Sequence, residues 1–302
     1  MMKALPFLIF GALCALSILL WWPSLADTLR LALARDAYTH ILLILPLSVA
    51  LIYADSTMPS ARPIWRDVRL SPGLGGPLLA LALVVWNYVQ WGMPYATEDV
   101  HLSLAMLAIV AWWIGSFIFC FGMPAFHQLQ FPLYLLFLIV PVPESVLRTM
   151  IEFLQLESAN TTRVLFHALG VPATQDGILV SIPGLVIEVA KECSSIRSSM
   201  MLLVTTIILA GLFLRSPWRR LLLVLAAIPL SVFKNAVRIV TITLLATRID
   251  PGYFEGRLHH QGGILFFGVA VVGIILLLLL LRRSETHGAR LANPVANSRE
   301  SA

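Results

Sequence analysis

Three residue types that cooperate in acyl transfer occur beside apolar runs in the last third of the chain. Cys193 lies just before the run MLLVTTIILAGLFL, Arg238 lies within the next apolar stretch, and His259 and His260 precede a third. A thiolate is a nucleophile, a histidine exchanges protons with it, and an arginine stabilises an oxyanion or binds a carboxylate. Together they suffice for peptide cleavage or acyl transfer through a thioester, with no metal or cofactor.

Neighbouring polar side chains could support this chemistry. Arg197 lies four residues after Cys193, so the two share a face at the start of a helix, and Ser194 adjoins the cysteine. Unpaired backbone N–H groups at a helix start favour the thiolate. Asn235 lies beside Arg238, at a position where a helix would carry both into the same region. Arg197 is open to a second interpretation, as a ligand of lipid phosphate.

Each candidate also has a purely structural alternative. Arg238 could form an ion pair with Glu188 or Glu192, and the two histidines could be ordinary interfacial residues. Lys234 shares a helical face with Arg238, but we expect it to extend along the bilayer interface rather than to take part in catalysis. An arginine within a membrane helix is rare and indicates function by default.

The composition identifies the elements that must position these residues. The chain has 302 residues, of which 59% are hydrophobic and 12% are charged, and its mean hydropathy is +0.87. Soluble domains carry about 25% charged residues. The sequence therefore predicts an all-α polytopic membrane protein whose environment is the lipid bilayer, with no nucleic-acid partner. Three cysteines, two of them inside apolar runs, do not form a disulfide framework.

The apolar pattern predicts about eight transmembrane helices and one less apolar stretch. We place the helices at residues 4–22, 38–54, 75–91, 101–121, 125–142, 195–214, 218–247 and 260–281. Before the sixth span, residues 150–170 have the spacing of an interfacial amphipathic helix, and ILVSI and LVIEV form a small external hairpin around Pro183–Gly184. We predict a single membrane domain over residues 1–284 and a short disordered cytoplasmic tail over residues 285–302.

Lysine and arginine in the short loops predict the orientation. Basic residues cluster at 62–69, at 215–220 and at 282–290, and with eight spans all three clusters face one side. By the positive-inside rule that side, with both termini, is cytoplasmic. Cys193 then lies at the outer face. Arg238 lies there too, because 18 residues of helix from Arg220 cover about 27 Å, nearly the hydrocarbon thickness.

The motifs around these residues resemble those of the exosortases, membrane-embedded cysteine transpeptidases of Gram-negative bacteria. VAKECSSIRSSM resembles the family signature A-x-x-C-S-G-[IL]-R-S, NAVRI its asparagine-x-x-arginine segment, and HHQGGILFF its histidine, glycine and aromatic segment. AYTHILLILPLSVALIY, LLFLIVPVPESVL and LGVPATQDGILVSIPGLVIEV are similar to further family segments. The resemblance covers most of residues 37–282. One departure is Ser195, where the family usually has glycine.

The resemblance implies an active site in which Cys193 is the nucleophile, Arg238 the arginine and His259 the histidine, facing the periplasm from the inner membrane. His259 is preferred over His260 because family members commonly place the histidine four residues before the glycine, here Gly263. The family's substrates are membrane-anchored proteins with a C-terminal sorting signal, which comprises a Pro-Glu-Pro-like motif, a spanning helix and a basic cluster. The family is also linked to exopolysaccharide production, which implies a connection to polysaccharide export machinery.

Other functions fit parts of the pattern. A transporter would use intramembrane Lys234 and Arg238 to line a polar pathway, but its charges should spread through the bilayer midplane. A membrane acyltransferase would use a histidine and leave Cys193 structural. A scaffold for polysaccharide assembly would need none of this chemistry.

Overall fold

The computed structural model describes residues 5–57, 70–93, 97–189, 196–254 and 257–292. It is helical except for one small sheet, and it divides into two compact units, Met1–Leu147 and Arg148–Ala302. We call these the N-terminal and the C-terminal unit. The all-α polytopic class predicted from the composition is confirmed, and the chain is a multi-span membrane protein.

Helices make up the described part of the N-terminal unit, with short 3-10 turns at Asp36–Tyr38 and Leu136–Ile139. The helices are α1 (Leu5–Leu20), α2 (Trp22–Ala34), α3 (Ile41–Thr57), α4 (Pro72–Trp91) and α5 (Glu98–Leu135). Helix α6 (Glu144–Ala168) begins in this unit and continues into the C-terminal unit.

The first predicted span is shorter than expected and is followed by an unpredicted helix. Helix α1 ends at Leu20, and α2 leaves it at 76°. Pro23 lies in the first turn of α2. A proline there cannot continue α1, because it has no N–H to donate and its ring clashes with the preceding turn, whereas its fixed φ suits a new helix start.

Among the described residues, six helices are long and apolar enough to cross a membrane, or seven if the bent pair α1–α2 is one span. The prediction was about eight. The difference lies in residues Glu98–Ile139, which form one element of 42 residues where we had predicted a fourth and a fifth span.

This long element folds back on itself at Gly122. Gly122 has φ 81° and ψ 170°, a conformation that suits glycine, and Pro124 follows it. The hydroxyl of Ser103 lies 2.7 Å from the carbonyl oxygen of Pro141, and the Glu144 N–H donates to Asp99 Oδ2 at 2.6 Å. Thirty-eight residues of straight helix would separate Ser103 from Pro141 by about 57 Å. The two arms are therefore antiparallel, as a separate fourth and fifth span require.

Small residues allow α4 to pack closely against the first arm of α5. A Cβ atom on Gly75 would lie 2.4 Å from the backbone nitrogen of Phe119, and one on Gly115 would lie 3.2 Å from that of Leu79. The Ser71 N–H donates to the Phe119 carbonyl at 2.8 Å across the same contact. Close backbone approach through glycine is the usual means of helix association where lipid replaces water.

The C-terminal unit combines a sheet with three long helices. The amphipathic helix predicted over residues 150–170 is found as the longer α6, which is not among the candidate spans. The hairpin at Pro183–Gly184 is found between β2 (Leu179–Ile182) and β3 (Leu185–Glu188), and an unpredicted strand, β1 (Thr174–Asp176), pairs antiparallel with β2. The helices are α7 (Ile196–Phe213), α8 (Pro217–Arg248) and α9 (Arg257–Ala292), with a 3-10 turn at Pro251–Phe254.

Two apolar clusters hold this unit together. Buried residues of α7, α8 and α9 pack against one another, with Leu202, Leu223 and Ile274 fully or almost fully enclosed. A second cluster joins α6 to the sheet and to the later part of α8, through Phe166, Val180 and Val240 among others. The sheet and α6 are thus fixed beside the part of α8 that carries Arg238.

Helix α9 extends past residue 284, where we had predicted the domain to end. Glu285 accepts hydrogen bonds from the backbone N–H groups of Ser216 at 2.6 Å and Arg215 at 3.2 Å, and lies 3.5 Å from the guanidinium of Arg219. A carboxylate at the start of α8 stabilises its unpaired N–H groups. Residues 293–302 lie outside the described part of the chain.

Candidate active site

The predicted site residues differ in how far the structure describes them. Cys193, Ser194 and Ser195 lie outside the described residues. His259 and His260 belong to the first turn of α9, but their side chains lie outside the described part. Arg238 and Asn235 are buried on α8, and Arg197 is exposed in the first turn of α7. Of the two carboxylates proposed as alternative partners of Arg238, Glu188 is exposed on β3, and Glu192 lies outside the described residues.

Helix α8 carries a buried face of polar residues, which we call the polar face. Each member has another member three or four residues away, the spacing that aligns side chains along one side of a helix. Its members are Ser231, Lys234, Asn235 and Arg238. Polar and charged groups within a membrane helix are costly to bury and are kept where they serve a site or pair with other groups.

The expectation that Lys234 extends to the interface is wrong. Its residue is only 4% exposed, and its ammonium group donates a hydrogen bond to the hydroxyl of Ser198. Ser198 lies in the first turn of α7, five residues after Cys193. The long side chain therefore reaches across to a neighbouring helix instead of to the membrane surface.

A second bond fixes the same helix pair. Ser231 Oγ donates to Ser199 Oγ at 2.6 Å, so two consecutive serines of α7 are tied to the polar face. The bonded residue of α7 changes from Ser199 back to Ser198 as the bonded residue of α8 changes from Ser231 forward to Lys234. Arg238 lies about one turn beyond Lys234, about 6 Å further along the axis of α8.

Sequence reasoning did not assign Ser198 or Ser199 a role, although both lie in the signature stretch. The sequence feature that could have identified them is a pair of hydroxyl side chains at the beginning of an apolar helix. Their partners, however, are more than 30 residues away along the chain.

The first turn of α9 lies beyond Arg238 at the same end of the helix group. Glu285 near the end of α9 contacts Ser216 before α8, and a Cβ on Gly273 would lie 3.2 Å from Leu230 Cδ2. The two helices are therefore antiparallel. Arg238 lies eight residues after Leu230, which faces Gly273, so in antiparallel helices Arg238 is level with about residue 265 of α9. Residues 259 and 260 lie between one and two turns beyond that level.

The chain leading to Cys193 is also fixed on its upstream side. The N–H of Val189 donates to the Ile178 carbonyl at 3.0 Å, and the Val189 carbonyl accepts from Gln155 Nε2 at 2.8 Å. Val189 and Gln155 are both buried. Gln155 was absent from the predicted site residues, and its only sequence signal is a long amide side chain on the buried side of an amphipathic helix, which also carries Ser158 and Thr162.

The described groups at this end of the C-terminal unit thus include two cations one turn apart, the amides of Asn235 and Gln155, three serines and the first turn of α9. A buried guanidinium offers several N–H donors in a rigid planar arrangement that suits a carboxylate or a developing oxyanion. The opposite end of the same helices carries Arg219 and Glu285 and has no such polar face among the described residues.

Comparison with known proteins gives the class to which this architecture belongs. The family model described as transmembrane exosortase matches residues 21–276, which is most of the chain. The protein belongs to the transmembrane exosortase family. No curated protein and no solved structure matches the chain.

Proposed function

We propose that the protein is a membrane-embedded cysteine peptidase and transpeptidase that cleaves the C-terminal sorting signal of exported proteins. Its substrates are membrane-anchored proteins with a Pro-Glu-Pro-like motif followed by a spanning helix. Membership of the exosortase family supports this proposal. The observation that carries it is the burial of Arg238 on a face of α8 that is tied to the first turn of α7, the helix that follows Cys193.

In the proposed reaction, the thiolate of Cys193 attacks the carbonyl carbon of the scissile peptide bond. The guanidinium of Arg238 stabilises the oxyanion that forms, because a fixed donor in a water-poor site interacts strongly with developing charge. The C–N bond breaks, the leaving amine takes a proton from protonated His259, and the acyl group remains on Cys193 as a thioester. An acceptor amine or water then attacks the thioester and gives a proton to neutral His259, the C–S bond breaks, and the thiolate and protonated His259 are regenerated.

The supporting residues have narrower roles. Asn235 adjoins Arg238 on the polar face and helps to orient it, while Ser194 and Arg197 flank the nucleophile in sequence. His260 is the alternative base. We place the site at the periplasmic face of the bacterial inner membrane, with both termini cytoplasmic and the product linked to surface protein sorting and exopolysaccharide export. A transporter, a histidine-dependent acyltransferase or a scaffold would work without the Cys193 thiol.

The decisive experiment co-expresses the protein with a membrane substrate that ends in a sorting signal. We expect Cys193→Ala and Cys193→Ser to abolish processing, because a serine hydroxyl is a much weaker nucleophile than a thiolate at neutral pH. Cys14→Ala is the matched control, since Cys14 lies in the N-terminal unit and is outside the proposed site. Continued processing by the Cys193→Ala protein would refute the thiol mechanism.

The orientation is tested separately. In a Cys14→Ala/Cys120→Ala background, Cys193 is the single remaining thiol. We expect a membrane-impermeant maleimide added from the periplasmic side to label it. Labelling only from the cytoplasmic side would show that the proposed topology is inverted, but it would not contradict the thiol mechanism.

A further inference from the structure

Gln155 is the longest polar side chain on the buried face of α6. This face holds the apolar residues Leu154, Ala159 and Phe166 together with the smaller polar residues Ser158 and Thr162, and Gln155 is only 4% exposed. Burying an amide without hydrogen bonds costs about 1–3 kcal/mol in proteins. The hydrogen bond that offsets this cost for Gln155 is therefore informative about its role.

That partner is the backbone at the start of the segment that carries Cys193. Gln155 Nε2 donates to the Val189 carbonyl at 2.8 Å, from 34 residues away along the chain. The Val189 N–H is bonded to Ile178 at the hairpin. The N–H and the carbonyl of Val189 therefore both have hydrogen-bond partners, and Val189 is fully buried. Cys193 follows four residues later.

The downstream side has its own fixed point. Ser198, five residues after Cys193, accepts the hydrogen bond from the Lys234 ammonium group, and Ser199 is bonded to Ser231. The bonds on this side come from α8, which also carries Arg238. The bond on the upstream side comes from α6, so no residue of the proposed catalytic set forms it.

We propose that Gln155 is a positioning residue, which fixes the chain upstream of Cys193 so that the thiol meets Arg238 and His259. This inference rests on the proposed function. Misplacing a reacting group by about 1 Å costs about 100-fold in rate, so one anchor close to a nucleophile has a large effect on turnover. Gln155 touches neither substrate nor reacting atoms in this role and acts through the Val189 backbone.

The test uses Gln155→Glu and Gln155→Leu in the full-length protein in membranes, with Gln175→Leu as the matched control. Glutamate keeps the shape of the side chain but has an oxygen in place of the Nε2 donor, and leucine removes both polar atoms of the side chain. Gln175 donates a comparable bond to the Gly177 carbonyl at 2.9 Å, but it does so at the exposed β1–β2 turn. We expect both Gln155 variants to lose about 10- to 100-fold in kcat with little change in KM, because substrate binding does not depend on the thiol's position. Gln175→Leu should process substrate at the normal rate.

A second readout separates positioning from stability. The rate of Cys193 alkylation by iodoacetamide is measured against pH in the Cys14→Ala/Cys120→Ala background. Gln155→Leu should move the midpoint of this profile toward that of a free thiol, about 8.5, because the proposed positioning brings the thiolate to the guanidinium of Arg238 and a misplaced thiolate would lose that cation. A merely structural role would lower the amount of folded protein but leave the midpoint unchanged, and that outcome would overturn the proposal.

The two hypotheses fail in different ways. If Gln155 variants process substrate normally while Cys193→Ala is inactive, the positioning role is wrong and the cysteine mechanism stands. If Cys193→Ala is active, the mechanism itself is wrong, whatever the Gln155 variants do.

Discussion

The N-terminal and C-terminal units bury polar side chains for different purposes. In the N-terminal unit, buried hydroxyls lie against backbone carbonyls of residues 132–142, in the last turn of α5 and just after it. Ser48 donates to Pro132 at 2.6 Å, Tyr38 to Val142 at 2.8 Å, and Ser103 lies 2.7 Å from Pro141. In the C-terminal unit, the polar face of α8 adds two cations, and Ser231 and Lys234 of this face donate hydrogen bonds to serine side chains of α7.

This difference supports the proposal that the C-terminal unit carries the chemistry. Neutral hydroxyls bonded to carbonyls satisfy backbone groups where a helix is interrupted, and they are inexpensive to bury. Two cations one turn apart repel each other and raise the cost of burial, so such a pair persists where it serves a function. We therefore expect substitutions on the polar face to reduce activity more than stability, and substitutions in the N-terminal unit to do the reverse.

The largest effect on activity is expected at Arg238. Arg238→Lys keeps the charge but loses the planar set of donors, and we expect substrate processing to fall by about 100- to 1000-fold. The amount of protein in the membrane should stay near normal, because a buried cation is replaced by another. Processing rate per enzyme molecule is the measurement.

Arg248→Lys is the control for this change, since Arg248 is exposed at the end of the same helix. It should leave processing unchanged. Full processing by Arg238→Lys would show that the guanidinium has no part in the reaction and would remove the contrast between the units.

An intermediate effect, on stability alone, is expected where α4 meets α5. Gly75→Ala would place a Cβ 2.4 Å from the backbone of Phe119, whereas nothing lies within 4 Å of a Cβ on Gly76. The first change forces the two helices apart and should destabilise the protein by about 1–3 kcal/mol. Gly76→Ala should be neutral or stabilise by up to about 1 kcal/mol, because alanine favours the helix.

Thermal denaturation in detergent measures both glycine variants, and processing is then normalised to folded protein. Normalised processing should be unchanged in both. A loss of turnover in Gly75→Ala beyond its loss of folded protein would mean that the N-terminal unit contributes directly to the reaction.

The smallest effect is expected at Ser103. Its hydroxyl is within bonding distance of both the Asp99 and Pro141 carbonyls, and its single proton serves one of them at a time. Ser103→Ala should lower the free energy of unfolding by about 1 kcal/mol without altering processing. Ser284→Ala, at an exposed hydroxyl with one local bond, should change neither quantity.

The sequence by itself determined the class of protein and most of its elements. Twenty-residue apolar runs dictate spanning helices, since each must satisfy its own backbone in lipid, and the turn at Pro183–Gly184 follows from local chemistry. The separation of residues 101–121 from 125–142 was predicted from the pattern and is confirmed by the fold-back at Gly122. Arg238 and Asn235 could be named because a charge or an amide inside such a run is conspicuous.

The tertiary structure alone decided how those elements contact one another. Lys234 could extend to the interface or cross to a neighbouring helix, and the position of Ser198 selects the second. Gln155 received no role from its sequence context, because its partner is a backbone carbonyl 34 residues away that any residue could supply. Hydrophobic periodicity specifies which face of a helix is buried, but it carries no information about which distant group that face will meet. The bonds that fix the chain on either side of Cys193 depend on that packing.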